Sequence, residues 1–394
     1  MTERTVRGQV AVAGVGESAY YKRGQSPEPE IKLGLHAILA ACEDAGISPK
    51  EIDGFCSFSD DRNDPTRLAA ALGVPELRLS VMQWGGGGGG TAGAIGNAAA
   101  SIHAGYADVV VVYRALAQGQ FGRFGQGAPV PHVQGDRALS VPYGLMSPAQ
   151  MFAMKVVRFM HDHEIDGETL RAISMASYHH AQNNPRAVMY GRPLTEEKYD
   201  SSRWIIEPHF HLYDCCMEND GAAAMVLVSA ERAKDLAKQP VYLLGAAQGS
   251  GHRAGAGAHN ATDYGSSNFT TLVPHLYEQA RVKPSDIDVA QVYENFTGGV
   301  LMTMIEHGIC SAEQANDFFQ LENLLAPSGK FPLNTSGGNL AECYVHGMGL
   351  QVEAVRQLRG ESVNQVADAK VALAAAGPMV SPVSTCIYGT EEVL

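Results

Sequence analysis

The 394-residue sequence predicts an α/β protein built from a duplicated unit. Three observations lead there. Short β-rich runs alternate with helical stretches, one segment recurs 235 positions downstream, and 43 glycines with abundant alanine suit helices lying close on a sheet. A hydrophobic content of 45% supplies a large buried core for a chain of this length.

The predicted strands are residues 10–15, 52–58, 108–113, 241–244, 287–293 and 371–375. Their near-continuous apolar character marks strands buried between helical layers. The repeat aligns EDAGISPKEIDGFCSF (43–58) with EQARVKPSDIDVAQVY (278–293), so that Pro49 falls on Pro284, Ile52 on Ile287 and Asp53 on Asp288. Each copy reads as a helix end, a proline loop and an apolar strand. Residues 90–113 and 347–375 form a second pair, each running from glycine through a helix into a strand. The expected halves are 1–237 and 238–394. An insertion at about 117–205 is rich in Gly, His and Met, with a helical stretch at 149–163 and a polar loop at 178–193. Long insertions on compact cores commonly serve as lids or binding surfaces.

A net charge of −13 argues against nonspecific nucleic-acid binding, which needs a basic face. A phosphorylated ligand stays possible, because a few local cations and backbone amides suffice to hold one. The N-terminal MTERTVRGQVAVAG lacks the apolar stretch of a signal peptide, and no run of eighteen apolar residues suggests a membrane span. Seven irregularly spaced cysteines fit reduced thiols in a cytoplasm better than a disulfide framework.

The glycine run 85–90, followed by Thr91 and a helical AGAIGNAAASIHAG, is the most unusual local feature. A glycine loop entering a helix N-terminus presents free amides to an oxyanion or phosphate; the same glycines also permit close helix packing. Gly14-Val15-Gly16-Glu17-Ser18-Ala19 fits a dinucleotide fingerprint, but the following YYKRGQSPEPE cannot form the required helix. The pairs His161/His163, His179/His180 and His209/His211 lack a third ligand at metal spacing, and no metal is expected. Cys215-Cys216 reads as packing before an apolar strand.

Two C-terminal segments carry more chemistry. Gln291-Val292-Tyr293-Glu294-Asn295-Phe296-Thr297 ends a strand and opens a helix, and NTSGGNLAECYVHGMGL (334–350) is a glycine-rich loop entering another. Ligands gather at the carboxyl ends of parallel strands, so Tyr293, Tyr344, Glu294 and His346 should meet near one cleft. Taken alone, a buried tyrosine is more often a hydrogen-bonding core residue than a catalyst.

These segments resemble the thiolase superfamily, in its sterol-carrier-protein and lipid-transfer-protein branch, nearly end to end. Where that branch has His-Asp-Cys-Phe, N-P-S-G-G and G-H-P-x-G, this chain has Tyr293-Glu294-Asn295-Phe296, Asn334-Thr335-Ser336-Gly337-Gly338 and Cys343-Tyr344-Val345-His346-Gly347; DCCMENDGAAAMVL resembles its D-C-C run before S-D-G-A-A-A. The resemblance implies a duplicated five-layer αβαβα fold with a loop-domain insertion in the N-terminal half. It also exposes departures: the nucleophilic cysteine is replaced by Gly88, the second cysteine aligns around Gly377-Pro378, and Tyr293 and Tyr344 stand where the family has histidines. Acyl transfer through a cysteine thioester is therefore not expected.

The same pattern is similar to the cysteine-less, lipid-transfer-protein-like aldolases of bacterial steroid side-chain degradation. That resemblance implies retro-aldol cleavage of a steroid β-hydroxyacyl-CoA to a ring ketone and propionyl-CoA, with Tyr293 and Tyr344 as catalytic groups. It implies no cofactor beyond the CoA of the substrate thioester, a homodimer, and a small OB-fold partner of the DUF35 type, hydratase-associated, in a heterotetramer or larger complex. His346 is auxiliary or only packs, and Gly88, Gly89 and Gly347 belong to loops whose amides can hold the enolate oxygen. Arg123, Lys155 and Arg158 of the insertion are where the CoA phosphates would be sought. Competing readings are a condensing enzyme using another nucleophile, and a scaffold that binds acyl-CoA or lipid without turnover.

Overall fold

Both copies of the sequence repeat fold alike, and their shared aspartate explains why the repeat persists. A 3-10 turn, Pro49–Glu51 or Pro284–Asp286, precedes a strand. The Asp53 carboxylate then accepts from the amides of Asp108 and Val109, at 2.8–3.0 Å. The Asp288 carboxylate accepts from Lys370 and Val371 at 2.8 and 2.9 Å. In each half one carboxylate covers the leading amides of the neighbouring parallel strand and fixes its register.

A computed structural model describes residues 5–122, 132–254, 261 and 263–394. Its strands are β1 (Val10–Glu17), β2 (Tyr21–Lys22), β3 (Gly54–Phe58), β4 (Leu79–Gln83), β5 (Val109–Ala117), β6 (Trp204–Ile206), β7 (Phe210–His211), β8 (Asn219–Ser229), β9 (Val241–Gly249), β10 (Val289–Val292), β11 (Val371–Ala376) and β12 (Val383–Gly389). Apart from a β6–β7 hairpin they form one sheet, ordered β10-β11-β12-β9-β1-β8-β5-β3-β4, with β2 beside β8.

Read outward from its centre, the sheet repeats. The series β1-β8-β5-β3-β4 pairs antiparallel, antiparallel, parallel, parallel. The series β9-β12-β11-β10 begins the same way, and a parallel bridge from Ala290 to Leu333 supplies the last member. The halves join where Ala11 and Val12 of β1 meet Tyr242 and Val241 of β9.

Alternation along the strands separates two cores. In β5, Val109, Val111 and Tyr113 face one, while Val110 and Val112 face the other. The helices Thr91–His103 and Met348–Arg359 fill the middle layer and touch both halves of the sheet. Helix Glu30–Ala45 covers β1, β8 and β5 from outside, and helix Val273–Ala280 covers β9 and β12. The order helix, sheet, helix, sheet, helix gives the five layers expected.

One element departs from expectation. The polar-looking stretch from residue 178 does not begin a loop, because helix Glu168–Gln182 runs through Tyr178, His179 and His180. Tyr178 and Ala181 are buried against Leu340 and Ala341, so tertiary packing on one face holds a helix whose sequence reads as polar.

Candidate active site

Tyr293 stands immediately beyond β10, its amide donating to the Ala375 carbonyl of β11 at 3.0 Å. Tyr344 follows a π-helical turn, Gly338–Glu342, and its amide donates to Asn219 Oδ1 at the start of β8 at 3.0 Å. Two strand ends and one turn thus converge on a pair of phenols. Their oxygens are 2.7 Å apart, and their rings meet edge to face with centroids 5.9 Å apart. Leu116 and Leu350 pack around them, leaving Tyr293 2% and Tyr344 6% exposed.

Gly88 and Gly347 make room for this arrangement. A Cβ on Gly88 would stand 2.0 Å from Tyr293 Cε2, and one on Gly347 would stand 2.5 Å from Tyr293 Cδ2. The ring of Tyr293 therefore fills the volume that a side chain at position 88 would need. At Gly89 the amide donates to Gly86 and the carbonyl accepts from Ser384 Oγ, so its polar groups serve the loop. A Cβ on Gly377 would stand 2.2 Å from Gly89 Cα, so the position expected to align with the second thiolase cysteine is in backbone contact with the residue after Gly88. The Thr91 hydroxyl lies within hydrogen-bond distance of the Gly88 and His346 carbonyls, at 2.8 and 2.6 Å, and ties the glycine loop to the Tyr344 segment.

Burial pushes both phenols well above the ordinary tyrosine value. Both phenols also feel the neighbouring Cys216 thiol, which adds to the effect, and the charge of Arg114, which opposes it. The His346 ring stands edge-on to Tyr344 at 5.2 Å, and burial, followed by the charges of Arg114 and Arg62, holds it neutral. The buried Glu294 carboxylate reaches Ser177 Oγ and the Asn339 amide, and burial raises its pKa to about 7.

Tyr293, Tyr344, His346, Gly88 and Gly347 come together as a group, but the tyrosines do not line an open cleft. A cleft of about 1210 Å³ lies alongside, and Lys155, Arg158, Arg137 and Met379 are among its walls. It approaches the phenols through the segment after β11: Met379 and Ser381 line it, while Val380 and Pro382 crowd Gly89. Arg123 falls outside the described residues. Sequence reasoning missed two members of the site. Cys216, read as packing before a strand, packs against the phenol pair itself. Arg114, 1% exposed, had a signal in the sequence, since one charge interrupts the otherwise apolar strand VVVVYRALA.

Residues 247–390 match a family model described as thiolase C-terminal domain-like. The chain is 39% identical to the steroid side-chain-cleaving aldolase of Thermomonospora curvata, over 98% of this chain and 99% of that protein. It is also 39% identical to the 17-hydroxy-3-oxo-4-pregnene-20-carboxyl-CoA lyase of Mycobacterium tuberculosis, over 97% and 99% respectively. Among solved structures, the Ltp2-ChsH2(DUF35) aldolase superposes with a TM-score of 0.90 at 37% identity, covering 99% of this chain and all of that one.

Proposed function

The chain belongs to the family of thiolase-fold steroid side-chain-cleaving aldolases, and from that premise we propose that it cleaves a 17-hydroxy steroid side-chain CoA thioester by a retro-aldol reaction to a 17-ketosteroid and propionyl-CoA. The observation that carries this reading is the hydrogen-bonded pair Tyr293–Tyr344, packed on a glycine where a thiolase would place its nucleophile.

The reaction needs a base for the β-hydroxyl proton and an acid for the enolate that departs. In this scheme Tyr293, against whose ring the glycine loop packs, is the base. It takes the proton of the 17-hydroxyl; the oxygen's electrons form the ring ketone, the bond from C17 to the side chain breaks, and its electron pair becomes the thioester enolate. Tyr344 gives its proton to the enolate carbon, producing propionyl-CoA. Proton exchange across the 2.7 Å contact between the phenols then restores the starting state. The glycines act in this scheme by making space for the Tyr293 ring. A cysteine route has little support: burial pushes the thiol of Cys216, the cysteine on the pair, up to about 12, where thiolate is scarce at neutral pH.

The large cleft suits the CoA thioester, with mostly apolar walls for a hydrophobic body and Lys155, Arg158 and Arg137 for phosphates. A homodimer is supported by β4, whose outer edge has no partner strand among the described residues; it carries Met82, 54% exposed, and Trp84 just beyond its end is 86% exposed. A DUF35-type OB-fold partner is supported by the name of the structural neighbour. No described helix is long and apolar enough to cross a membrane.

Mass-spectrometric product analysis tests the proposal, using 17-hydroxy-3-oxo-4-pregnene-20-carboxyl-CoA with a DUF35-type partner supplied. Ring ketone with stoichiometric propionyl-CoA is the expected result. Unchanged substrate, with binding demonstrated, would overturn it.

A further inference from the structure

Arg114 lies in the middle of β5, on the same strand face as Leu116, and Leu116 packs directly on Tyr293 and Tyr344. Its guanidinium is 1% exposed. Nη1 donates to the Phe58 carbonyl at 2.6 Å, and the group stands 5.3 Å from the Phe58 ring centroid. Phe58 in turn touches Gly90, at the end of the glycine loop that cradles Tyr293.

The charge of Arg114 is incompletely neutralised. Its two carboxylate neighbours are at 3.4 Å (Asp61) and 3.5 Å (Asp60), and Asp60 is largely solvent-exposed. Asp61 is buried and is also held by the amide and side chain of Asn63, at 2.7 and 2.9 Å. Arg114 Nε is buried without a hydrogen-bond partner. Burying a guanidinium so incompletely paired is costly, and a fold that only needed packing here would use an apolar residue, as at Val110 and Val112 on the same face.

We propose that Arg114 is a positioning residue for the retro-aldol reaction: its buried positive charge biases the Tyr293–Tyr344 pair toward the anionic state that abstracts a proton. The inference rests on the tyrosine pair being the reacting groups. The titratable or charged groups acting on the pair are Cys216 and Arg114, with His346 beside Tyr344. The Arg114 charge favours the anion of both phenols and disfavours protonation of His346. Arg62 adds to the effect on His346, while the carboxylates of Asp60 and Asp61 beside the guanidinium oppose the charge of Arg114. A permanent cation beside a phenol in a buried site lowers the pH at which it ionises by about one unit or more.

The test reads proton affinity without turnover, so its failure is distinct from failure of the retro-aldol reading. Tyr293 is replaced by trifluorotyrosine, whose ionisation falls in an accessible pH range, and fluorine NMR follows its titration in the full chain. Arg114→Gln should raise the midpoint by about one pH unit, and Arg114→Lys should return most of the shift. Asp61→Asn, which removes an opposing charge, should move the midpoint down. Should Arg114→Gln not fold, Arg114→Lys and Asp61→Asn still decide the matter. A downward shift in Asp61→Asn upholds the proposal, and an unmoved midpoint overturns it. With the Tyr293 hydroxyl intact, Arg114→Gln should lower kcat about tenfold at neutral pH and leave KM nearly unchanged; an equal loss in Arg114→Lys would mark a merely structural role.

Discussion

Gly88→Ala should disable the enzyme through a single methyl group. The new Cβ would stand 2.0 Å from Tyr293 Cε2, 2.4 Å from Cζ and 2.8 Å from Cδ2. Carbon atoms settle at about 3.5–4.0 Å, so the ring must retreat by roughly 1.5 Å. The hydroxyl rides on that ring, and its 2.7 Å contact with Tyr344 cannot survive such a movement. Gly88 is absent from the positive-φ positions, so backbone strain is not the cause and the whole effect is steric. Overpacking of this kind costs about 1–3 kcal/mol of stability, and a misplacement near 1 Å at a reacting group costs about a hundredfold in rate. The assay is kcat/KM for release of propionyl-CoA, with thermal unfolding measured in parallel. Gly86→Ala is the control, because nothing lies within 4 Å of its Cβ and its φ is −80°. It should be nearly silent. In a Tyr293→Ala background, Gly88→Ala should cost little further stability, since the clash has been removed. Wild-type activity in Gly88→Ala would refute this account of the site.

Other outcomes can be checked on the same preparations. Tyr293→Phe and Tyr344→Phe should each lower kcat by about 10²–10⁴-fold while changing stability by only about 1 kcal/mol, the worth of one hydrogen bond; chemical denaturation with steady-state kinetics separates the two. Glu294 has its folded pKa raised from 4.5 to about 7 by burial. Its contribution to stability is therefore present at acid pH and lost as pH rises through about 7, so Glu294→Gln should flatten the Tm-against-pH curve across that window. Lys155→Ala should raise KM for the CoA thioester several-fold with little change in kcat, because Lys155 lines the cleft and not the phenol pair. Met82→Lys, at the exposed edge strand, should shift sedimentation from dimer toward monomer, and an unchanged dimer would place the subunit interface elsewhere.

The central strands were readable in the sequence because burial on both faces leaves an apolar run, as in VVVVY of β5. The helix through Tyr178–Gln182 was not, because its exposed side is polar and its buried side needs Leu340 and Ala341, more than 150 positions away, to explain it. The site divides similarly. Tyr293 and Tyr344 could be brought together because each lies in a motif at a strand or turn end, and resemblance supplied the role proposed for them. Cys216 could not, and Arg114 showed only as one charge within an apolar strand, since both reach the phenols only through sheet order. β5 and β8 are neighbours, and their facing residues converge with segments that begin at β10 and after Gly338. No spacing along the chain records that convergence.

The loss of the cysteine and the gain of the tyrosine are then one structural event. A side chain at position 88 and the Tyr293 ring claim the same volume, and Gly347 vacates the ring's other side. With the ring in place, a cysteine at position 88 would meet the same clash as alanine, so Gly88→Cys cannot recover thiolase chemistry without moving Tyr293. Absence of the nucleophile is accordingly no sign of decay. A decayed site would tolerate many residues at 88, whereas this one requires glycine there for a steric reason that vanishes if the phenol is removed; Gly347 is required both by the ring and by its own φ of +79°. In a thiolase this glycine loop would carry a cysteine, and here the Tyr293 ring fills that place. On the proposed mechanism the reacting group has changed from a nucleophile that forms a bond to carbon into a base that takes a proton.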